Sequence, residues 1–125
     1  AACGKGLGLS MEKAVRIASG FASGMRTGDT CGAVAGAIMV LGLRYGSEDC
    51  VTAAGRAVVY GKVEEFTRRF RERNGFLLCR DLLGLDTSTP EGLAKAKELN
   101  LFRTRCPALV ADAASILEEM IKEEG

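Results

Sequence analysis

The segment from Cys31 to Leu43 is apolar on nearly every side, and it dictates most of what this chain can become. A helix without a polar face must be covered all round by other elements. Its most apolar part, Ala33 to Leu43, is about half as long as a bilayer requires and is interrupted by Gly36 and Gly42, so it is not a membrane span. It is therefore predicted as the central, buried helix. Gly32, Ala33, Gly36 and Ala37 on it are small enough to let a second backbone, or a second copy of the chain, approach closely.

The remaining segments read as helices that could cover it. Ser10 is an N-cap with Glu12 in the first turn, and Met11, Ala14, Val15, Ala18, Phe21 and Ala22 recur at helical spacing. Gly20, Gly24 and Gly28 mark the turn beyond. Asp29 or Thr30 caps the central helix, and Tyr45-Gly46 ends it. Ser47-Glu48-Asp49 starts a long helix that stops at Asn74-Gly75, with Val59, Val63, Phe66 and Phe70 as its buried stripe. Gly55 and Gly61 weaken its first half. A short helix runs from Cys79 to Leu83, and Thr89-Pro90-Glu91 opens another, to about Leu99. Cys106-Pro107 is predicted as the N-cap and first residue of the last helix, with Leu109, Val110, Ala113, Ala114, Leu117, Met120 and Ile121 on its inner face. No segment alternates with period two. The expectation is one all-α domain over residues 1–125, a bundle of about five to six helices.

Charge excludes some functions. Seventeen basic residues against sixteen acidic give no electrostatic reason to expect nucleic acid. Arg68, Arg69, Arg71 and Arg73, near Phe66 and Phe70, could contact RNA, but cations in the last turns of a helix need no ligand to explain them. Without a signal peptide the expected setting is cytoplasmic. The start at Ala1-Ala2-Cys3-Gly4, without Met, is expected to continue a longer chain.

Five cysteines and no histidine bound the chemistry. A Cys-His nucleophile pair and a His-ligated zinc site are both excluded within this chain. Cys31, Cys79 and Cys106 each fall at a predicted helix start, where free N–H groups and the positive end of the dipole favour an anion. A cysteine supplies that anion as its thiolate, the form that binds metals and attacks disulfides. Arg26, Arg80, Arg103 and Arg105 lie near these cysteines in sequence and would depress their pKa values further. Against this, cysteine also serves simply as a small buried apolar side chain. Cys50, between Asp49 and Val51 with Glu48 close by, reads as structural.

Cys31-Gly32-Ala33-Val34-Ala35-Gly36 resembles the C-G-A-x-x-G motif of the C_GCAxxG_C_C family of redox-active proteins. The likeness extends through Ala18–Met25, Gly28–Gly46, Phe70–Gly75, Cys79–Gly84, Ser88–Gly92 and Leu101–Pro107. It implies that Cys31, Cys79 and Cys106 are three of the family's four shared cysteines. The fourth is implied in an N-terminal helix ahead of this chain, in an Asn-Cys-x-Gln segment. The resemblance implies redox activity, and electron transfer with an unidentified redox partner protein is the leading expectation. Cys31, Cys79 and Cys106 are then the candidate ligands of an iron–sulfur cluster or another thiophilic metal. Gly32 and Gly36 are the candidate cofactor-binding positions, where backbone N–H groups could reach cluster sulfurs; tight helix packing explains the same glycines. A metal-free thiol–disulfide switch and a non-catalytic interaction module, a homodimer among its forms, are the alternatives.

Overall fold

The computed structural model describes residues 3–124, Lys5 by its backbone alone; the Ala1-Ala2 start and Gly125 lie outside the described residues. The protein is all-α. Six α-helices are described: α1 (Met11–Ala18), α2 (Gly32–Tyr45), α3 (Ala53–Asn74), α4 (Cys79–Leu83), α5 (Pro90–Glu98) and α6 (Leu101–Lys122). Among the described residues no helix is long and apolar enough to cross a membrane.

Helix α2 lies between α3 and α6, as its composition requires. Val34, Ala37 and Leu41 from α2 meet Phe66 and Phe70 from α3, and Leu109, Ala113, Ile116, Leu117 and Met120 from α6. Phe66 and Phe70 are fully buried, their rings stacked with centroids 6.0 Å apart. The face of α6 is rotated from the one expected: Val110 is exposed, and Ile116, absent from the predicted face, is fully buried. Arginines at the end of α3 tie it to the end of α6. Arg69 bonds Glu65 and Glu123, both at 2.6 Å, and Arg73 bonds Glu119.

The start of α6 differs most from expectation. Asn100, with φ of 59°, turns the chain directly out of α5, and α6 begins at Leu101. Cys106 therefore sits in the second turn of α6 and not at its N-cap, with Pro107 inside the helix. Proline in a helix removes one backbone hydrogen bond. The added turn half-buries Leu101 and Phe102, apolar contacts that favour the longer helix.

Between α1 and α2 the backbone turns left-handed. Ser23, Gly24, Met25 and Arg26 have φ between 54° and 63°, and the turn is closed by Asp29 N–H donating to the Gly24 carbonyl at 3.1 Å. Each non-glycine residue there costs roughly 1–2 kcal/mol, so the tertiary contacts of this segment, and not its own preference, hold it.

Two corners share one construction. Asp49, Thr52 and Gly55 precede and open α3; Asp86, Thr89 and Gly92 precede and open α5. In each the threonine hydroxyl donates to the aspartate carbonyl (3.0 and 2.9 Å) and accepts from the glycine N–H (3.0 Å in both). The aspartate carbonyl then lies only 1.8 Å from where a Cβ on the glycine would stand, in both corners. This divides what was expected to be one helix start: Ser47 caps a short turn over Glu48–Val51, and Thr52 caps α3 itself.

Two outcomes follow from this packing. Alanine at a helical glycine ordinarily stabilises by about 0.5–1 kcal/mol, and Gly61→Ala, which meets nothing within 4 Å, should do so. Gly55→Ala and Gly92→Ala should instead lower the melting temperature, at a cost of roughly 1–3 kcal/mol, because the aspartate carbonyl must move. Acid should loosen the seam between α3 and α6. Hydrogen bonds from Arg68 and Arg69 hold the Glu65 carboxyl at about 2, against an ordinary 4.5. Arg69 lowers Glu123, and Lys62 lowers Glu124. Carboxyls depressed in the folded state contribute stability above their ordinary pKa and lose it as pH falls toward the folded value. Melting temperatures recorded from pH 5 to pH 2 should fall steadily, and less so in Arg69→Met.

Candidate functional site: a cavity lined by three thiols

An isolated antiparallel bridge pairs Thr30 with Leu78. Cys31 N–H donates to the Leu77 carbonyl at 2.8 Å, and Cys79 N–H donates to the Asp29 carbonyl at 2.7 Å. Side chains alternate along paired extended segments, so Cys31 and Cys79, each one residue past the pair, project from the same side as diagonal neighbours. Two helix starts far apart in sequence are thereby fastened side by side. Both cysteines are buried.

Cys106 reaches the same place from α6. Cys31, Cys79 and Cys106 together line a cavity of about 240 Å³. Its remaining walls are Ala22 and Ser23 from the left-handed turn, Gly32 and Ala33 from α2, Leu82 and Leu83 from α4, and Phe102, Leu109 and Val110 from α6. Gly32 is needed for close approach, since a Cβ there would stand 3.2 Å from the Phe21 carbonyl. Gly36 is one turn away and does not line the cavity. It faces a neighbouring apolar groove with Cys3, Val40 and Ala114, and a Cβ there would meet nothing within 4 Å.

At Cys79 and Cys106 the electrostatics reverse the expected sign. None of Arg26, Arg80, Arg103 and Arg105 lines the cavity. Burial pushes the Cys79 thiol up; the charges of Cys31 and Asp86 add to the rise and a hydrogen bond from Thr87 opposes it. Burial also pushes up the Cys106 thiol, followed by the charges of Cys79 and Cys31, with only Arg105 acting downward. Desolvation outweighs the helix dipole here for two reasons. Cys106 is not at a helix end, and the Cys79 amide, the first of α4, is already committed to the Asp29 carbonyl. At neutral pH Cys79 and Cys106 are therefore protonated.

All five cysteines are free thiols. Among the described residues no three His, Cys, Asp or Glu side chains are arranged to hold a single metal ion. Cys50 takes a structural part: its sulfur accepts from Ser47 N–H at 3.4 Å and donates to the Gly55 carbonyl at 3.5 Å. Thr87, unremarked in the sequence, is the polar residue that the fold buries most completely beside a thiol, at 1% exposure.

A thiol whose pKa is raised by folding contributes stability below its ordinary value of 9.0, and that stability is lost as pH climbs through the folded value. Thermal melts of the reduced protein should thus show a drop above about pH 9. Cys79→Ala and Cys106→Ala should each flatten that alkaline limb; an unchanged limb in both variants would remove thiol burial as its cause.

No curated protein and no solved structure matches the chain. A family model described as "Putative redox-active protein (C_GCAxxG_C_C)" matches residues 1–120. With three thiols on one cavity and that model covering nearly the whole sequence, the chain belongs to the C_GCAxxG_C_C redox-active family.

Proposed function

We propose that this protein is an electron carrier whose thiols at Cys31, Cys79 and Cys106 hold an iron–sulfur cluster. The observation that carries the reading is the convergence of these three cysteines, from three separate helices, on one apolar cavity. Their donor chemistry fits: soft thiolates select iron–sulfur clusters and other thiophilic metals. The spread of the thiols bears on which. A tetrahedral zinc ion needs its sulfurs all about 2.3 Å from one point, and no such set exists among the described residues. A cluster attaches its thiolates to different irons, so sulfurs distributed around a cavity wall suit it better. When bound, the cluster would supply one-electron chemistry.

The chain's own residues would set its surroundings. Leu82, Leu83, Phe102 and Leu109 exclude water and lower the local dielectric. The backbone at Gly32 borders the cavity, where its amide favours electron-rich sulfur; Gly36 lies too far along α2 for that part. Burial first, and neighbouring sulfur charge after it, make Cys79 and Cys106 resist becoming bare thiolates, and a cationic iron centre would offset that cost. A fourth ligand follows from the family likeness, on an N-terminal cysteine. The reading needs a partner redox protein and a reducing setting such as the cytoplasm.

One observation favours a second reading. The bridge sets Cys31 and Cys79 on one side as diagonal neighbours, about 7–8 Å apart, so a disulfide between them would require the short paired segment to shift. Forming it would join the two sulfurs and release two protons and two electrons to an acceptor thiol–disulfide protein.

Anaerobic incubation of the reduced protein with ferrous iron and sulfide discriminates the two. The cluster reading expects stoichiometric iron and visible charge-transfer absorption, lost in Cys31→Ala, Cys79→Ala and Cys106→Ala. Absence of bound iron and of those bands overturns it. A Cys31–Cys79 disulfide, mapped after mild oxidation and reversed at a cellular potential, would establish the second.

A further inference from the structure

The thiol cavity meets solvent at two of its lining residues: Ala22, exposed beside the left-handed turn, and Val110, 57% exposed on α6. Arginines stand on both sides of that mouth. Phe102, Cys106, Leu109 and Val110 share one face of α6. Arg103, two turns before Val110, stands at one edge of that face, and Arg105, one turn before Leu109, at the other. Across the mouth, Arg26 belongs to the turn whose Ser23 lines the cavity, and it is exposed together with Met25.

These arginines have no carboxylate of their own. Arg16, Arg44, Arg68, Arg69 and Arg73 each pair with a glutamate, whereas Arg26, Arg103 and Arg105 enter no ion pair among the described residues. Asp112 lies two turns beyond Arg105 on α6 and does not pair with it. Arg80 is also unpaired, but exposed Asp81 follows it and Asp86 sits with it against Gly28, so its charge is offset where it stands. Asp29, beside the turn, spends its carboxylate on Thr30 N–H at 3.0 Å. The positive excess therefore lies with Arg26, Arg103 and Arg105, around an apolar centre at Ala22 and Val110. An unpaired guanidinium at a surface keeps its field in the solvent, where an approaching molecule meets it.

We propose that this rim is the docking surface for a redox protein with an acidic face, which seats its own redox centre over the mouth at Val110. The inference rests on the reading of the cavity as a redox centre and names the chemistry of its partner. One electron then passes from the partner's reduced centre, which is oxidised, to the oxidised centre behind the mouth, with no bond made or broken. An apolar middle within a charged, arginine-rich border is the anatomy of a protein interface. A nucleic acid would need a basic track that follows successive phosphates, and the chain as a whole is nearly neutral, with 17 basic and 16 acidic residues. Charges on a rim act mainly on the rate of encounter and are weakened by salt.

The test titrates the whole metal-free protein with an acidic plant-type ferredoxin at low ionic strength, followed by amide NMR shifts. Perturbed amides should fall in the turn at 22–28 and along 102–110, and binding should weaken as salt is raised. Arg103→Glu combined with Arg105→Glu should weaken it about tenfold or more, and Arg26→Glu should act in the same direction. Arg71→Glu, the same charge change at an exposed arginine of α3, should leave it near wild type. Thermal melts confirm that each variant is folded. The second readout is the rate at which the reduced ferredoxin delivers electrons to the iron-loaded protein, which should fall in the same variants and with salt. Absence of binding at low salt, equal weakening by Arg71→Glu, or equal binding of a basic cytochrome c overturns the inference, as does preferential binding of duplex RNA. Iron uptake without docking overturns it and leaves the cluster reading intact; docking by a protein that takes up no iron upholds the surface and removes the cluster reading instead.

Discussion

Helix α2 has no side to leave in water, so the other helices are arranged around the need to cover it. Helices α3 and α6 take its flanks, and the paired segments 29–31 and 77–79 clamp its first turn to that of α4. The clamp is small, two backbone hydrogen bonds around one residue pair, yet it fixes where two of the cavity's three thiols stand. Large apolar surfaces determine the bundle, and a few directional bonds determine the chemistry within it.

Competition between burial and the helix dipole decides the state of the Cys79 and Cys106 thiols. A dipole acts through amides left free at a helix end. Here the Cys79 amide, the first of α4, is spent on the Asp29 carbonyl, and Cys106 is a full turn inside α6. Desolvation prevails, and the cavity prefers uncharged sulfur or sulfur whose charge is neutralised by something bound to it. An apolar wall is a poor place for a free thiolate nucleophile and a suitable one for a ligand.

Much of this was legible from residues. The all-round apolar run at 31–43, the Ser10 and Thr89 caps and the Asn74-Gly75 stop each carry a local signal strong enough to survive folding. Cys106-Pro107 imitated a cap and first turn, because proline at that place is usually a start; instead Asn100 turns left-handed and the helix begins at Leu101, half-burying Leu101 and Phe102. Ile116 and Val110 exchanged roles because the inward face of α6 is set by the positions of α2 and α3, which periodicity alone does not contain. Proximity of three cysteines spread across most of the chain is a tertiary fact, and so is the inward turn of Thr87 from a stretch whose composition reads only as loop.

The repeated corner has a consequence for how such a cavity can vary. In both copies the residue after the aspartate is drawn beneath the turn while its neighbours stay in water: Cys50 in the first, Thr87 in the second. One backbone shape, written by an aspartate, a threonine and a glycine at intervals of three, thus delivers an arbitrary side chain to a sheltered spot. In the first copy that side chain is a sulfur closing on its own loop, and in the second a buried hydroxyl with no hydrogen-bond partner. The side chain sheltered at that place can therefore change by a single codon without redrawing the turn around it.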